Sequence, residues 1–289
     1  MTRPIGERII MVTGATAGIG LATARAVARQ GATVVLVGRD REKTRGAVEA
    51  IKRETGNTRI EFLLADLSLL RDIRQLAAQV QARYPRLDAL VNNVGAMFLN
   101  GQVSSEGIEM TLALNHLGPY LLTRSLYTLL KASSPARIVN VSSLAHHGAR
   151  LDFPNLQFSG WKGYKRSKLA NLAFSYELAR RIEGSGVTVN ALSPGLVASN
   201  FGMNNRGLFP WIKPLVNRFA VSNEVGAETS VYLACSPEVE GVTGQYFTRC
   251  RSRRSSAVSY DLAAAARLWE ISARMTELSS DLSMERPSC

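Results

Sequence analysis

The chain has 289 residues, of which 46% are hydrophobic and 20% charged, enough apolar content for a full core, so it is neither a disordered tail nor a fibre. Lysine and arginine total 35 against 23 acidic residues, a net charge of +12, which suits a polyanionic cofactor, an anionic lipid surface or nucleic acid without choosing among them. Cys235, Cys250 and Cys289 form neither a CxxC pair nor an even framework, which favours thiols in a reducing compartment over disulfides or a cysteine-held metal.

The start of the chain runs into the apolar stretch 9–13 without the hydrophobic centre of a secretory signal. No apolar run approaches the roughly 18 residues that a bilayer span needs. A cytoplasmic protein is expected. Stretches 9–13 and 33–37 are short and β-branched, as in strands buried on both faces of a parallel sheet, and 18–30 between them has helical spacing.

Directly after the first strand stands Thr13-Gly14-Ala15-Thr16-Ala17-Gly18-Ile19-Gly20. The absent side chains at Gly14 and Gly18 let backbone amides approach a pyrophosphate, the helix N-terminus adds positive potential, and Gly20 permits close helix–sheet packing. The spacing is GxxxGxG rather than the common GxGxxG. The second strand ends on Gly38-Arg39-Asp40. An acid here would hold a ribose 2′-hydroxyl, whereas a guanidinium can fork onto a 2′-phosphate. Arg39 therefore favours NADP(H), although the Asp40 carboxylate can also reach toward the ribose.

The alternation continues with a charged helix near 41–54, a strand at 60–64, a helix near 70–83 and a strand at 89–91. Asp66-Leu67 follows the third strand and Asn92-Asn93-Val94-Gly95 the fourth, at the strand ends where doubly wound sheets bind ligands. Asp66 can accept from an adenine amino group or cap the next helix. Gly95 lets the chain pass close to a cofactor.

A long helix is predicted around 108–131, with Asn115 upstream of Gly118-Pro119, which would distort it and free carbonyls for water. That is a candidate proton relay. A strand at 136–141 leads to Ser142-Ser143, and Ser143, with Ser142 as the alternative on sequence grounds, can hydrogen-bond a substrate oxygen as charge builds there. His146 and His147 follow and are candidates for the pocket wall. In the helix around 164–183, Tyr164 and Lys168 are four residues apart and share a face. A nearby ammonium is expected to lower the phenol's pKa and fit Tyr164 for acid–base work on a carbonyl/alcohol pair.

After a strand at 187–191 and Ser193-Pro194-Gly195, the pattern breaks over 200–222 into large apolar residues with prolines and glycines. This is read as a substrate lid, with packing on the core as the alternative. A helix at 224–234, a strand at 245–248 and a C-terminal helix at 260–278 follow, and 279–289 reads as a flexible tail. The arginine cluster Arg249, Arg251, Arg253 and Arg254 lacks interleaved stacking aromatics and reads as a solvated face, so no nucleic-acid partner is expected. The fold class is α/β: a three-layer, doubly wound parallel sheet in a single domain, 1–278.

Together the glycine motif, Asn92-Asn-Val-Gly95, Asn115, Ser143, Tyr164-Lys-Arg-Ser-Lys168 and Ser193-Pro-Gly195 resemble the short-chain dehydrogenase/reductase family. Arg150-Leu-Asp-Phe-Pro-Asn-Leu156, Leu169-Ala-Asn-Leu172 and Arg267-Leu-Trp-Glu270 more narrowly resemble its retinol dehydrogenase and protochlorophyllide reductase branch. Val94 departs from the usual alanine, and Ser199 stands where threonine is common.

The resemblance implies a Rossmann-type fold and a tetrad of Asn115, Ser143, Tyr164 and Lys168. It implies that Lys168 also binds the nicotinamide ribose and that Pro194, Gly195 and the following residues, Ser199 among them, contact the nicotinamide. The full cofactor set is then Gly14, Thr16, Gly18, Ile19, Gly20, Arg39, Asp66, Leu67, Asn92, Gly95, Tyr164, Lys168, Pro194, Gly195 and Ser199. The expected partner is a bulky hydrophobic carbonyl or alcohol, and a homodimer or homotetramer is expected by resemblance alone. The rival class is an NADP-binding sensor or scaffold without turnover, which the intact tetrad disfavours.

Overall fold

The structure, a computed structural model, describes residues 3–153, 159–195 and 221–282. Eight strands follow in chain order: β1 (Ile9–Thr13), β2 (Thr33–Gly38), β3 (Ile60–Leu64), β4 (Ala89–Asn92), β5 (Ala136–Val141), β6 (Val187–Ser193), β7 (Gln245–Thr248) and β8 (Arg251–Arg253). They form one sheet in the order β3-β2-β1-β4-β5-β6-β7-β8, parallel except for the β7–β8 pair. Registers such as Val12 opposite Leu36 and Val91 opposite Val139 stack side chains that are buried on both faces, which is why these strands read as unbroken apolar runs. The strand order reverses between β1 and β4, opening a crevice at their C-terminal ends.

The helices are α1 (Gly18–Arg29), α2 (Arg41–Thr55), α3 (Leu70–Arg83), α4 (Met110–Leu112), α5 (Gly118–Ser125), α6 (Tyr127–Ala132), α7 (Gly160–Arg181), α8 (Asn223–Cys235) and α9 (Leu262–Met275). Val27, Val48, Ile51 and Leu233, from α1, α2 and α8, pack on one face of the sheet. Ile73, Leu76, Leu121, Phe174 and Trp269, from α3, α5, α7 and α9, pack on the other. This gives the expected three layers in a single domain. Among the described residues no helix is long and apolar enough to cross a membrane.

Two elements differ from the sequence reading. The helix expected over 108–131 is divided: α4 passes into a π-helical turn, Ala113–Leu117, before α5 and α6. A side chain on Gly118 would lie 2.5 Å from the Leu67 carbonyl oxygen, so glycine lets this helix press against the loop after β3. Pro119 has no N–H to give to the preceding turn, which suits the wider ring there. The arginine cluster is exposed, but it also forms the edge strand β8, reached through Arg249 and Cys250 with φ of 49° and 57°. Both turn residues are left-handed, as in the tight hairpin turns that match strand twist.

The start of the expected tail is tied to the core. The Ser279 carbonyl accepts from Arg124 and the Ser280 carbonyl from Trp269. The expected lid, 200–222, lies outside the described residues except for Val221 and Ser222, and Ser222 caps α8. Ser199 also lies outside them, as does 283–289.

Candidate active site

The glycine loop bridges β1 and α1. Gly14 and Gly18 take φ of 63° and 57°, where a side chain would be strained, and a Cβ on Gly20 would fall 2.3 Å from the Gly14 carbonyl oxygen. Ala17 gives α1 no side-chain cap, and its first turn holds no acid, so the N–H groups of that turn are not met by a side chain. That arrangement fits an anion, and the residues present fit a dinucleotide pyrophosphate.

Two residues outside the expected set hold this loop. The Asn93 amide donates to the Thr13 carbonyl at 2.8 Å and the Gly14 carbonyl at 3.3 Å. The Thr13 hydroxyl accepts from the N–H groups of Asn93 and Val94. They fasten the loop after β4 to the loop after β1, closing the crevice floor.

At the end of β2, Arg39 is exposed, and a Cβ on Gly38 would meet the Thr16 methyl at 2.8 Å, so Thr16 and Gly38 adjoin. Asp40 caps α2, accepting from the Lys43 N–H at 3.0 Å. Its carboxylate is thus engaged with the helix. Asp66, half-buried, accepts from the Ser68 N–H at 2.9 Å and hydroxyl at 2.6 Å, and Leu67 is buried against Gly118. The Asn92 side chain is engaged within the core, its amide donating to Thr123 and Asn140, both at 2.8 Å. Pro194 is half-buried and Gly195 exposed at the end of β6, where the Gly195 N–H donates to the Ser193 hydroxyl at 3.3 Å.

Of the four residues expected to form the tetrad, Lys168 and Asn115 flank Gly95. A Cβ placed there would lie 3.1 Å from Lys168 Nζ and 3.5 Å from Asn115 Oδ1. The π-helical turn carries Asn115, whose amide accepts from the Ala96 N–H at 2.9 Å and donates to the Ala96 carbonyl at 2.8 Å and the Ser167 hydroxyl at 3.0 Å. It ties the Gly95 loop to α7. From α7, Lys168 Nζ donates to the Val141 carbonyl at 3.1 Å and lies 5.6 Å from the Tyr164 ring centre. The Ser143 hydroxyl acts on the Tyr164 phenol and accepts from the Ala145 N–H at 3.1 Å.

Burial sets the charges here. It pushes the Tyr164 phenol up to about 12, with the Ser143 hydrogen bond pulling the other way. The sequence reading expected the ammonium to lower it; desolvation wins because the hydroxyl lies in a nearly dry niche. The same burial brings Lys168 down to about 8. Outside the tetrad, the indole of Trp161 stacks on Tyr164 at 5.7 Å yet is 54% exposed. Leu144, directly after Ser143, and Leu99, beside Gly160, are also exposed. Trp161 and Leu144 adjoin Tyr164 and Ser143, and Leu99 lies against Gly160, one turn before Tyr164 on α7.

A doubly wound sheet with a dinucleotide crevice at its switch point, and a phenol and an ammonium at the crevice mouth, is the arrangement of an oxidoreductase. Residues 8–207 match the short chain dehydrogenase family model, and the chain belongs to that family. It is 38% identical to human retinol dehydrogenase 13 over 294 residues, 98% of this chain and 88% of that protein. A crystal structure of an uncharacterized protein from Mycobacterium paratuberculosis superposes with a TM-score of 0.77 at 29% identity, covering 94% of each chain. A short chain dehydrogenase from Escherichia coli CFT073, solved in complex with NADPH, gives a TM-score of 0.66 at 26% identity over 87% of this chain and all of that one (100%).

Proposed function

We propose that the protein is an NADP(H)-dependent oxidoreductase that interconverts a carbonyl and an alcohol on a bulky hydrophobic molecule, with Tyr164 as the proton donor. The observation that carries this is one continuous chain of neighbours, Asn115 and Lys168 flanking Gly95, Lys168 beside the Tyr164 ring and Ser143 next to the Tyr164 phenol. NADPH, when bound, supplies the hydride.

The protein's own groups do the rest. The uncapped first turn of α1 binds the pyrophosphate, and Lys168 has donors beyond its bond to Val141 for a ribose hydroxyl. Ser143 hydrogen-bonds the carbonyl oxygen and Tyr164 gives that oxygen its proton. A phenol held at about 12 is protonated at neutral pH, which suits reduction. Asn115 holds the Gly95 loop and the π-helical turn in place for proton resupply. Arg39 takes the 2′-phosphate, a reading supported by the engagement of Asp40 as a helix cap and by the relative complexed with NADPH.

Leu99, Leu144 and Trp161 favour an apolar substrate. NADPH oxidation across a panel of aldehydes and ketones tests this. Long-chain or polycyclic carbonyls are expected to turn over, and Trp161→Ala is expected to raise their KM several-fold with little effect on a short aldehyde. Saturable NADPH binding without turnover on any member would contradict the assignment.

A further inference from the structure

The 3₁₀ turn Leu144–His146 carries Ser143 at its N-cap and a fully buried imidazole at its end. His146 Nδ1 lies 2.6 Å from the Ser143 carbonyl oxygen, and Nε2 lies 3.1 Å from the backbone nitrogen of Ser256. A backbone N–H can only donate, so Nε2 must be the bare nitrogen. The ring proton therefore sits on Nδ1 and is donated to Ser143.

We propose that His146 is a positioning residue for Ser143, and that the Ser256 N–H, in the C-terminal arm, holds it in the tautomer this requires. The proposal rests on the reading of Ser143 as the hydroxyl that binds the carbonyl oxygen. Both the N–H and the ring of His146 bond the Ser143 carbonyl, which fixes the backbone of the turn, and the Ala145 N–H donated to the Ser143 hydroxyl then sets that hydroxyl beside Tyr164. The ring is held between His147, 4.1 Å away, and the edge of Tyr246, 5.3 Å away.

The arm that supplies Ser256 is also fastened to the helix that carries Tyr164. The Ser255 hydroxyl shares hydrogen bonds of 2.7 Å with Tyr176 of α7 and with Ser259, and Tyr260 stacks on Tyr176 at 5.1 Å. One segment thus links the two elements whose hydroxyls must meet. It lies beyond the 8–207 region of the family match.

Four variants test this, with NADPH oxidation, NADPH-binding titration and thermal melting measured on each. Ser256 has φ of −63°, which proline also adopts, so Ser256→Pro deletes the N–H with the backbone left in place. It and His146→Ala are expected to lower kcat roughly tenfold or more with the KM for NADPH little changed, and His146→Ala, which empties a buried site, also lowers the melting temperature. His146→Asn, which keeps a donor near the Nδ1 position, is expected to restore most of kcat, whereas His146→Gln is not.

With only 3 histidines in the chain, nitrogen-15 NMR of labelled histidine reads the tautomer directly. The Nδ1–H form is expected in the wild type and its loss in Ser256→Pro. Wild-type kcat in both His146→Ala and Ser256→Pro, or an Nε2–H form in the wild type, overturns the proposal. So does loss of kcat only in step with cofactor binding. Ser143→Ala in the same assay separates the two readings. If it is inactive while the His146 variants are not, this proposal alone fails; if it turns over like the wild type, the role of Ser143 fails and takes the proposal with it.

Discussion

Tyr164 and Lys168 illustrate how burial shapes single residues. Both are ordinary at α7 spacing, and it is the niche beside Gly95 that moves them, the phenol up to about 12 and the ammonium down to about 8. If the charged lysine assists reduction, kcat/KM should stay level below pH 8 and fall by about tenfold per unit above it. The stability consequence has the opposite sign. The unfolded chain keeps the Lys168 proton up to its ordinary 10.5, so raising pH from about 8 toward 10.5 favours the folded form through this group, and melting curves across that window distinguish lost catalysis from unfolding. A rate that stays level to pH 10 would contradict the assignment. At the other end of the crevice, Arg39→Ala is expected to raise the KM for NADPH at least several-fold and leave that for NADH nearly unchanged. An equal change for both would show that Arg39 does not read the 2′-phosphate.

At the scale of elements, the strands and most helices were legible because burial on both faces and 3.6-residue spacing leave direct traces in sequence. Where the reading departed, contacts between distant segments decided. The π-helical turn depends on the approach of Gly118 to Leu67, a contact between segments far apart in the chain. The strand β8 escaped because its turn is Arg-Cys rather than Asn-Gly, held in part by the Cys250 N–H donating to Thr229. Thr13 and Asn93 left no periodic signal, although their positions at strand ends were one. The C-terminal helix was expected, and α9 forms there; its Trp269 ring is covered by the guanidiniums of Arg124 and Arg181 at 4.7 and 4.6 Å and stacks against Phe174 of α7. Trp269→Ala is expected to cost about 3–5 kcal/mol, read as a lower urea midpoint. A midpoint within error of the wild type would mean that α9 is not part of the cooperative core.

For the whole molecule, topology does what no local motif can. Gly14, Gly95, Ser143 and Gly195 are dispersed along the chain, yet each follows a parallel strand, so the sheet delivers all of them to one edge. The candidate site was legible for this reason: alternation predicted the sheet, and the sheet fixed which loops meet. Its electrostatics were not legible, since desolvation of Tyr164 depends on packing that no single segment specifies. The account stands on Tyr164 as the proton donor in a carbonyl reduction that uses NADPH. The most direct test is steady-state NADPH oxidation by Tyr164→Phe beside the wild type, with cofactor affinity titrated on both. Turnover lost by a factor of about 10² or more, with NADPH affinity intact, is expected. Turnover retained within a few-fold would contradict it.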